Sequence, residues 1–218
     1  KKNKKEYVYI PKWYGSRLPF DSFRVFRILK KDQNPVLTQY QILRMRDYLK
    51  TLWFFILYPF SVFRLLKNLE SSYEDKLINY AIWDVFDGVV IEHYMRFLLG
   101  QRLSLLLKGK IKCLSWYENL PIDKNFYSGL RHLPNKTEIV GIQPYTRPNT
   151  IMNIFPDEQE IPFNVVPDKI LVNGPGYCFD SEQIHVDIGP SWRYTHLFQP
   201  TEKNIKKDSI LVLMPYWD

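Results

Sequence analysis

Two hydrophobic rhythms follow one another along the chain, and the first is helical. Over residues 38–69 large apolar residues return every three or four positions, while Arg44, Asp47 and Lys50 fall on another face. The apolar positions are Ile42, Met45, Leu49, Leu52, Ile56, Phe60 and Phe63. The pattern predicts a helical arm, which Pro59 is expected to break or kink.

The most apolar part of this arm is too short to cross a bilayer. Its uncharged run, residues 51–63, has 13 residues, against about 20 for the hydrocarbon core. We therefore expect first a buried helix, second an interfacial or partner-covered helix, and only third a membrane span. The second interpretation draws on the flanking basic residues Arg44, Arg46, Lys50, Arg64 and Lys67.

The second rhythm consists of short Ile- and Val-rich runs separated by helical segments or by gaps rich in Pro and Gly. Helices are predicted at 73–88, 90–108 and 123–133, and strands at 6–10, 110–116, 138–143, 169–172, 183–187 and 209–214. This alternation is typical of the α/β class. We predict a Rossmann-like, mainly parallel sheet flanked by helices, with a helical basic region before it.

Positive charge is concentrated in the first third of the chain. Residues 1–70 hold 15 of the 30 Lys and Arg and 5 of the 23 acidic residues, so this part of the chain has a net charge of +10. The rest of the chain has a net charge of −3, which gives +7 for the whole. This asymmetry indicates either an anionic partner, such as a membrane surface, or simply a solvated basic face. No nucleic-acid partner is expected, because zinc-finger spacing and aromatic RNP-type strands are both missing from the sequence.

Several kinds of site are excluded by the sequence itself. It contains no phosphate-binding Walker loop, no G-x-G-x-x-G and no G-x-S-x-G. The four histidines and the pair Cys113 and Cys178 have no metal-ligand spacing, so we expect neither a metal nor a bound cofactor. Two widely spaced cysteines are typical of a protein of the reducing cytosol.

The segment 116–119 follows a predicted strand, at the edge where open α/β sheets place ligand-contacting groups. Glu118 can act there as a general base towards a sugar hydroxyl, and the indole of Trp116 offers a face for stacking. The alternative, which spacing alone favours, is that Glu118 only stabilises the N-terminus of the next helix. Arg131 and Arg147 can bind phosphate or carboxylate, and Gln143 can bind a hydroxyl.

A series of short motifs resembles bacterial surface-carbohydrate biosynthesis proteins, which are similar in turn to capsule and lipopolysaccharide transferases of the GT-B type. The resemblance covers about residues 75–215. The motifs are Trp-Tyr-Glu-Asn (116–119), Gly-Leu-Arg (129–131), Val-Gly-Ile-Gln (140–143), Val-Pro-Asp-Lys-Ile-Leu-Val-Asn-Gly (166–174) and Ile-Gly-Pro-Ser-Trp-Arg (188–193). In that architecture two Rossmann-like domains face a cleft; the first binds the acceptor and supplies the base, and the second holds the nucleotide sugar.

The resemblance implies an acceptor-side domain at 1–198 with its arm at about 38–69, a linker at 199–208, and the start of a truncated second domain at 209–218. It also implies a glycosyltransferase that moves a sugar from a nucleotide-sugar co-substrate to a bacterial surface glycan or glycolipid, with the isolated chain inactive. The implied site residues are Glu118 as base with His93 in reserve, and Trp116, Arg131, Gln143, Tyr145 and Arg147 as acceptor contacts.

The implied location is cytoplasmic and peripheral to the inner membrane, where the basic arm meets anionic lipid. An alternative from another class is a non-catalytic Rossmann-like interaction module, held at the membrane surface by the same arm.

Overall fold

Within its described residues, the protein is an α/β structure built on a sheet of four parallel strands that lie side by side in their order along the chain. A computed structural model describes residues 7–11, 24–25, 27–29, 31, 35–67, 75–76, 79, 89–133, 137–143 and 155–189. Consecutive parallel strands require a crossover between each pair, which agrees with the alternation of strands and helices in the sequence.

The helices and strands follow one another in a simple order. In the described part of the chain, the α-helices with defined bounds are α1 (Gln39–Ile42), α2 (Met45–Leu66), α3 (Val89–Leu106) and α4 (Pro121–Leu130), and the strands are β1 (Ile111–Trp116), β2 (Thr137–Ile142), β3 (Lys169–Val172) and β4 (His185–Ile188). Short 3-10 helices lie at Glu158–Phe163 and Pro175–Tyr177.

The α/β class and the four central strand predictions are confirmed. The predicted strand at 6–10 is reduced to one bridge between Tyr9 and Val36, and the predicted helix at 123–133 begins two residues earlier, at Pro121. The predicted strand at 209–214, the linker at 199–208 and most of the predicted helix at 73–88 lie outside the described residues.

The core lies between one face of the sheet and the pair α3 and α4. Ile139 and Ile170 of the central strands are fully buried, as are Leu99 of α3 and Tyr127 of α4. Such burial of large apolar side chains is the main stabilising contribution to the fold. On the opposite face of the edge strand β1, Leu114 and Trp116 are 59% and 57% exposed.

Two glycines let α3 and α4 approach each other closely. An added Cβ at Gly129 would lie 2.1 Å from the backbone oxygen of Phe97, and one at Gly100 would lie 2.4 Å from that of Phe126. No side chain fits at such distances, so the two helix backbones are in direct contact. This contact fixes α4, and with it the loop between β1 and α4, against the rest of the core.

The face that α2 buries is the opposite of the expected one. From Met45 to Phe63 the predicted apolar stripe is exposed, although Ile42 of α1 is buried, and Asp47, predicted on the other face, is buried. Arg102 of α3 holds the Asp47 carboxylate through two bonds of 2.8 and 2.9 Å, and Phe54 stacks on Tyr94 at 4.2 Å between ring centroids. The expectation of a buried apolar helix is therefore wrong for residues 45–63, because polar and aromatic contacts decide which face meets α3.

The Asp47–Arg102 pair is an ion pair in this setting. Although burial alone works to raise the pKa of Asp47, the hydrogen bonds from Arg102 and from the backbone of Arg44 lower that pKa below its usual range. The carboxylate thus stays charged, and it ties the start of α2 to α3. The helix continues through Pro59 to Leu66, so the predicted break at that proline is absent.

Among the described residues, none of the helices combines the length and the apolar character that crossing a bilayer requires.

Candidate functional site

The residues that directly follow β1 and β2 lie side by side at the carboxyl edge of the sheet. Beyond the ends of the strands, the backbone N–H of Tyr117 donates to Ile142 O at 2.9 Å and that of Gln143 donates to Leu171 O at 2.9 Å. Neighbouring strands lie about 4.8 Å apart, so the chain segments after β1 and β2 are adjacent. This carboxyl edge is where parallel sheets present groups to ligands.

Trp116 and Glu118 form a pair at this edge. The indole Nε1–H of Trp116 donates to Oε1 of Glu118 at 2.7 Å. The indole is more than half exposed, and Glu118 is half-buried beside it. The arrangement places a carboxylate of fixed orientation next to an exposed aromatic face, a combination that suits a sugar ring and one of its hydroxyls.

A left-handed residue directly after Glu118 turns the chain away from the strand. Asn119 has φ 55° and is buried. Its Oδ1 accepts the hydroxyl of Tyr117 at 3.0 Å, and its Nδ2 donates to the carbonyl oxygen of Phe155 at 3.3 Å. Burial is the main cause that raises the pKa of Tyr117, and the neighbouring Tyr127 raises it further. The Tyr117 phenol therefore keeps the proton that it donates.

Asp123 stabilises the N-terminus of α4. Oδ2 of Asp123 accepts the backbone N–H groups of Glu118 and Leu120 at 3.2 and 3.3 Å. A carboxylate in the first turn satisfies otherwise unpaired N–H groups and interacts favourably with the helix dipole. Asp123 thus caps this helix directly, whereas Oε1 of Glu118 accepts the indole N–H of Trp116, and the alternative role of Glu118 stays a prediction.

The other candidate residues do not all lie near Glu118. Gln143 lies at the same edge as Glu118 and is buried. His93 lies half-buried on the second turn of α3, on a helix and not after a strand. Tyr145 and Arg147 lie outside the described residues.

Arg131 lies at the opposite edge of the sheet, because it ends α4 and the chain then enters β2. Its guanidinium donates to the carbonyl oxygens of Asn164 and Val166 at 3.0 and 2.6 Å, and forms an ion pair with Asp168 at 3.0 Å. These contacts hold the segment that leads into β3. The structure therefore gives Arg131 a role in the fold and does not bring it to Glu118.

Asn119 and Asp123 are site residues that the sequence argument did not single out. Asn is among the few residues that adopt positive φ readily, and Asn119 stands between a predicted strand and the Leu120–Pro121 helix start, which is a detectable signal. The Asn119 side chain bonds to Tyr117, which is 2 positions away in the sequence, and to Phe155, which is 36 positions away. The longer connection has no signature in the sequence.

The parallel order of the four strands, with helices packed on the sheet, is compatible with a Rossmann-like fold. Within the described residues, no group of three His, Cys, Asp or Glu side chains is placed to hold a metal ion. The chain matches no protein-family model, and no curated protein or solved structure is significantly similar to it.

Proposed function

We propose that this chain forms the acceptor-side domain of a GT-B-like glycosyltransferase, which transfers a sugar from a nucleotide sugar to a hydroxyl of a bacterial surface glycan or glycolipid. The observation that carries the proposal is the Trp116–Glu118 pair at the carboxyl edge of β1, with an indole–carboxylate bond of 2.7 Å. The resemblance of the surrounding motifs to surface-carbohydrate transferases supports the same assignment.

In the proposed reaction the Glu118 carboxylate removes the proton of the acceptor hydroxyl. The hydroxyl oxygen attacks the anomeric carbon of the donor as the bond from that carbon to the nucleotide phosphate breaks, and the nucleotide leaves with the electron pair. A base must lie within hydrogen-bond reach of the hydroxyl. Trp116 serves this step twice, since its N–H orients the carboxylate and its exposed ring stacks on the acceptor sugar.

The test is the variant Glu118→Gln in the full-length protein. Release of nucleotide is measured with CMP-, UDP-, GDP- and dTDP-sugars as donors and a bacterial surface glycolipid extract as acceptor. Gln keeps the size of the side chain but removes its basicity. We expect kcat to fall by about 10²–10⁴-fold, the usual effect of losing a general base, with a much smaller change in the KM for the acceptor.

The matched control is Glu138→Gln, which changes an exposed carboxylate of β2 that is paired with Lys112. It should leave turnover and melting temperature nearly unchanged, because exposed ion pairs contribute little. Full turnover in Glu118→Gln, together with a lowered melting temperature, would assign Glu118 to the fold alone. His93 would then be the next base to test.

A further inference from the structure

Helix α2 exposes a continuous apolar stripe on the side that faces away from α3. Seven large side chains on this stripe are between 48% and 75% exposed: Met45, Leu49, Leu52, Trp53, Ile56, Phe60 and Phe63. Their steps of one, three or four residues place them on one side of the helix, and the buried Asp47, Thr51 and Val62 lie on the other. At 1.5 Å per residue the stripe from Met45 to Phe63 is about 27 Å long.

The polar residues that border this stripe are cationic. Arg46, Lys50 and Arg64 are all exposed, and Lys67 follows directly after the helix. The single acidic residue of α2, Asp47, is buried and bound by Arg102. The exposed surface of α2 therefore combines a large apolar area with positive charge, and the helix itself carries no exposed acidic side chain.

We propose that α2 docks flat onto an anionic lipid surface, with its apolar stripe inserted at the headgroup boundary and its cations against the lipid phosphates. An apolar face bordered by Lys and Arg, with Trp and Phe on the apolar side, is the pattern of helices that lie in the plane of a membrane. Both components contribute, since apolar burial adds to the attraction of anionic lipid for nearby basic residues.

A second copy of the chain fits this surface less well. Pairing two α2 helices along their stripes would bring the cations of one helix near those of the other, and α2 has no exposed acidic residue to compensate them. Like charges at close range oppose association. Charge complementarity therefore favours an anionic surface over self-association. The proposed docking does not depend on Glu118 or on transferase activity.

The experiment is flotation of the full chain with phosphatidylglycerol–phosphatidylcholine vesicles and with pure phosphatidylcholine vesicles. We expect binding to the anionic vesicles and its loss at about 1 M salt, where charges are screened within a few ångströms. The triple variant Arg46→Gln, Lys50→Gln and Arg64→Gln should bind at least about tenfold more weakly. Its control, Lys108→Gln, Lys110→Gln and Lys112→Gln, removes the same charge from exposed positions off α2 and should keep most of the binding.

The apolar contribution is tested separately with the double variant Trp53→Gln and Phe60→Gln. Both side chains are exposed, so the melting temperature should stay near that of the wild type while vesicle binding falls. The control is Leu114→Gln with Ile188→Gln, two exposed apolar residues of the sheet. Equal binding by the wild type and both α2 variants would overturn the proposal. So would a dimer that forms through α2 and binds no vesicles.

Discussion

At the scale of single residues, the conformation of Asn119 decides where Glu118 lies. Asn119, directly after Glu118, has a left-handed backbone conformation, and there the chain leaves the direction of β1 and turns towards α4. The Glu118 side chain remains beside Trp116. Buried non-glycine residues at positive φ are held there by their surroundings, and they are common near functional sites. The bonds from Tyr117 and to Phe155 supply that support.

The backbone requirement at Asn119 is tested by comparing Asn119→Gly with Asn119→Ala. Both variants lose the same side-chain hydrogen bonds, but only alanine places a Cβ in the left-handed region, which costs about 1–2 kcal/mol. We therefore expect the free energy of unfolding, measured in urea, to be about 1 kcal/mol lower for alanine than for glycine.

Asn125 provides the matched control, because it lies within helix α4. There glycine should be less stable than alanine by about 1 kcal/mol. Glycine is thus expected to be the more stable substitution at position 119 and alanine the more stable one at position 125. If alanine gave the higher free energy of unfolding at both positions, Asn119 would have no conformational requirement.

The sequence predicts the position of Glu118 after a strand. A polar residue after a buried strand is a general indication of a ligand edge, and it leads directly to Glu118. The role of Asp123 was not predicted, because two carboxylates within six residues compete for one helix N-terminus, and only three-dimensional geometry shows which one meets the N–H groups. Arg131 was named for its guanidinium and through the resemblance, neither of which indicates that it ends a helix at the opposite edge of the sheet.

At the scale of elements, the contact between α3 and α4 depends on Gly100 and Gly129. Glycine normally weakens a helix, so two glycines at the helix interface indicate that close packing outweighs their low helix propensity. The close approach allows α4 to cover Ile139 and the rest of the buried sheet face.

The variant Gly129→Ala tests the helix contact. Helix propensity alone predicts a gain of about 1 kcal/mol for this change. An alanine Cβ would instead lie 2.1 Å from the backbone oxygen of Phe97, which no rotamer change can move away. We expect the free energy of unfolding to fall by about 2–3 kcal/mol, the cost of overpacking a rigid interface.

Gly176→Ala is the control for this prediction, because an added Cβ there meets nothing within 4 Å and its φ is not in the left-handed region. That variant should change stability by less than about 0.5 kcal/mol. A neutral or stabilising Gly129→Ala would mean that α3 and α4 are farther apart than the structure has them.

The orientation of α2 shows what a hydrophobic period cannot predict. The period of 3.6 correctly gives a helix and correctly groups the apolar residues on one face. It does not determine whether that face meets a core or another surface, since the choice depends on which partner residues the rest of the fold supplies. Arg102 and Tyr94 of α3 supply a cation and a ring, and they select the face with Asp47 and Phe54.

At the scale of the whole molecule, the fold class follows from the order of segments because short β-branched runs alternating with helices have few compact solutions. All four central strands were located to within two residues. Their pairing in sequential order was not predicted, since a parallel sheet can be assembled in several strand orders from the same set of strands. Among the described strands, the sequential order leaves β1 at an edge, with Trp116 accessible.

The edge position of β1 makes its one cysteine a reporter of how firmly the sheet holds the helices. Burial raises the pKa of Cys113 to about 12, whereas Cys178 is exposed. These are the only two cysteines of the chain. A thiol with a pKa of about 12 is ionised in roughly one molecule in ten thousand at pH 8, and only the thiolate reacts.

We therefore expect iodoacetamide at pH 8 to label Cys178 rapidly and Cys113 more slowly, by about a thousandfold or more. The variants Cys178→Ser and Cys113→Ser isolate each reaction, and mass spectrometry follows both. As urea is added, labelling of Cys113 should accelerate in step with global unfolding, because unfolding removes the burial that raises the pKa of its thiol. Acceleration well below the unfolding transition would show instead that the edge strand opens by itself, and the Trp116–Glu118 pair at the end of that strand would then be mobile in the native protein.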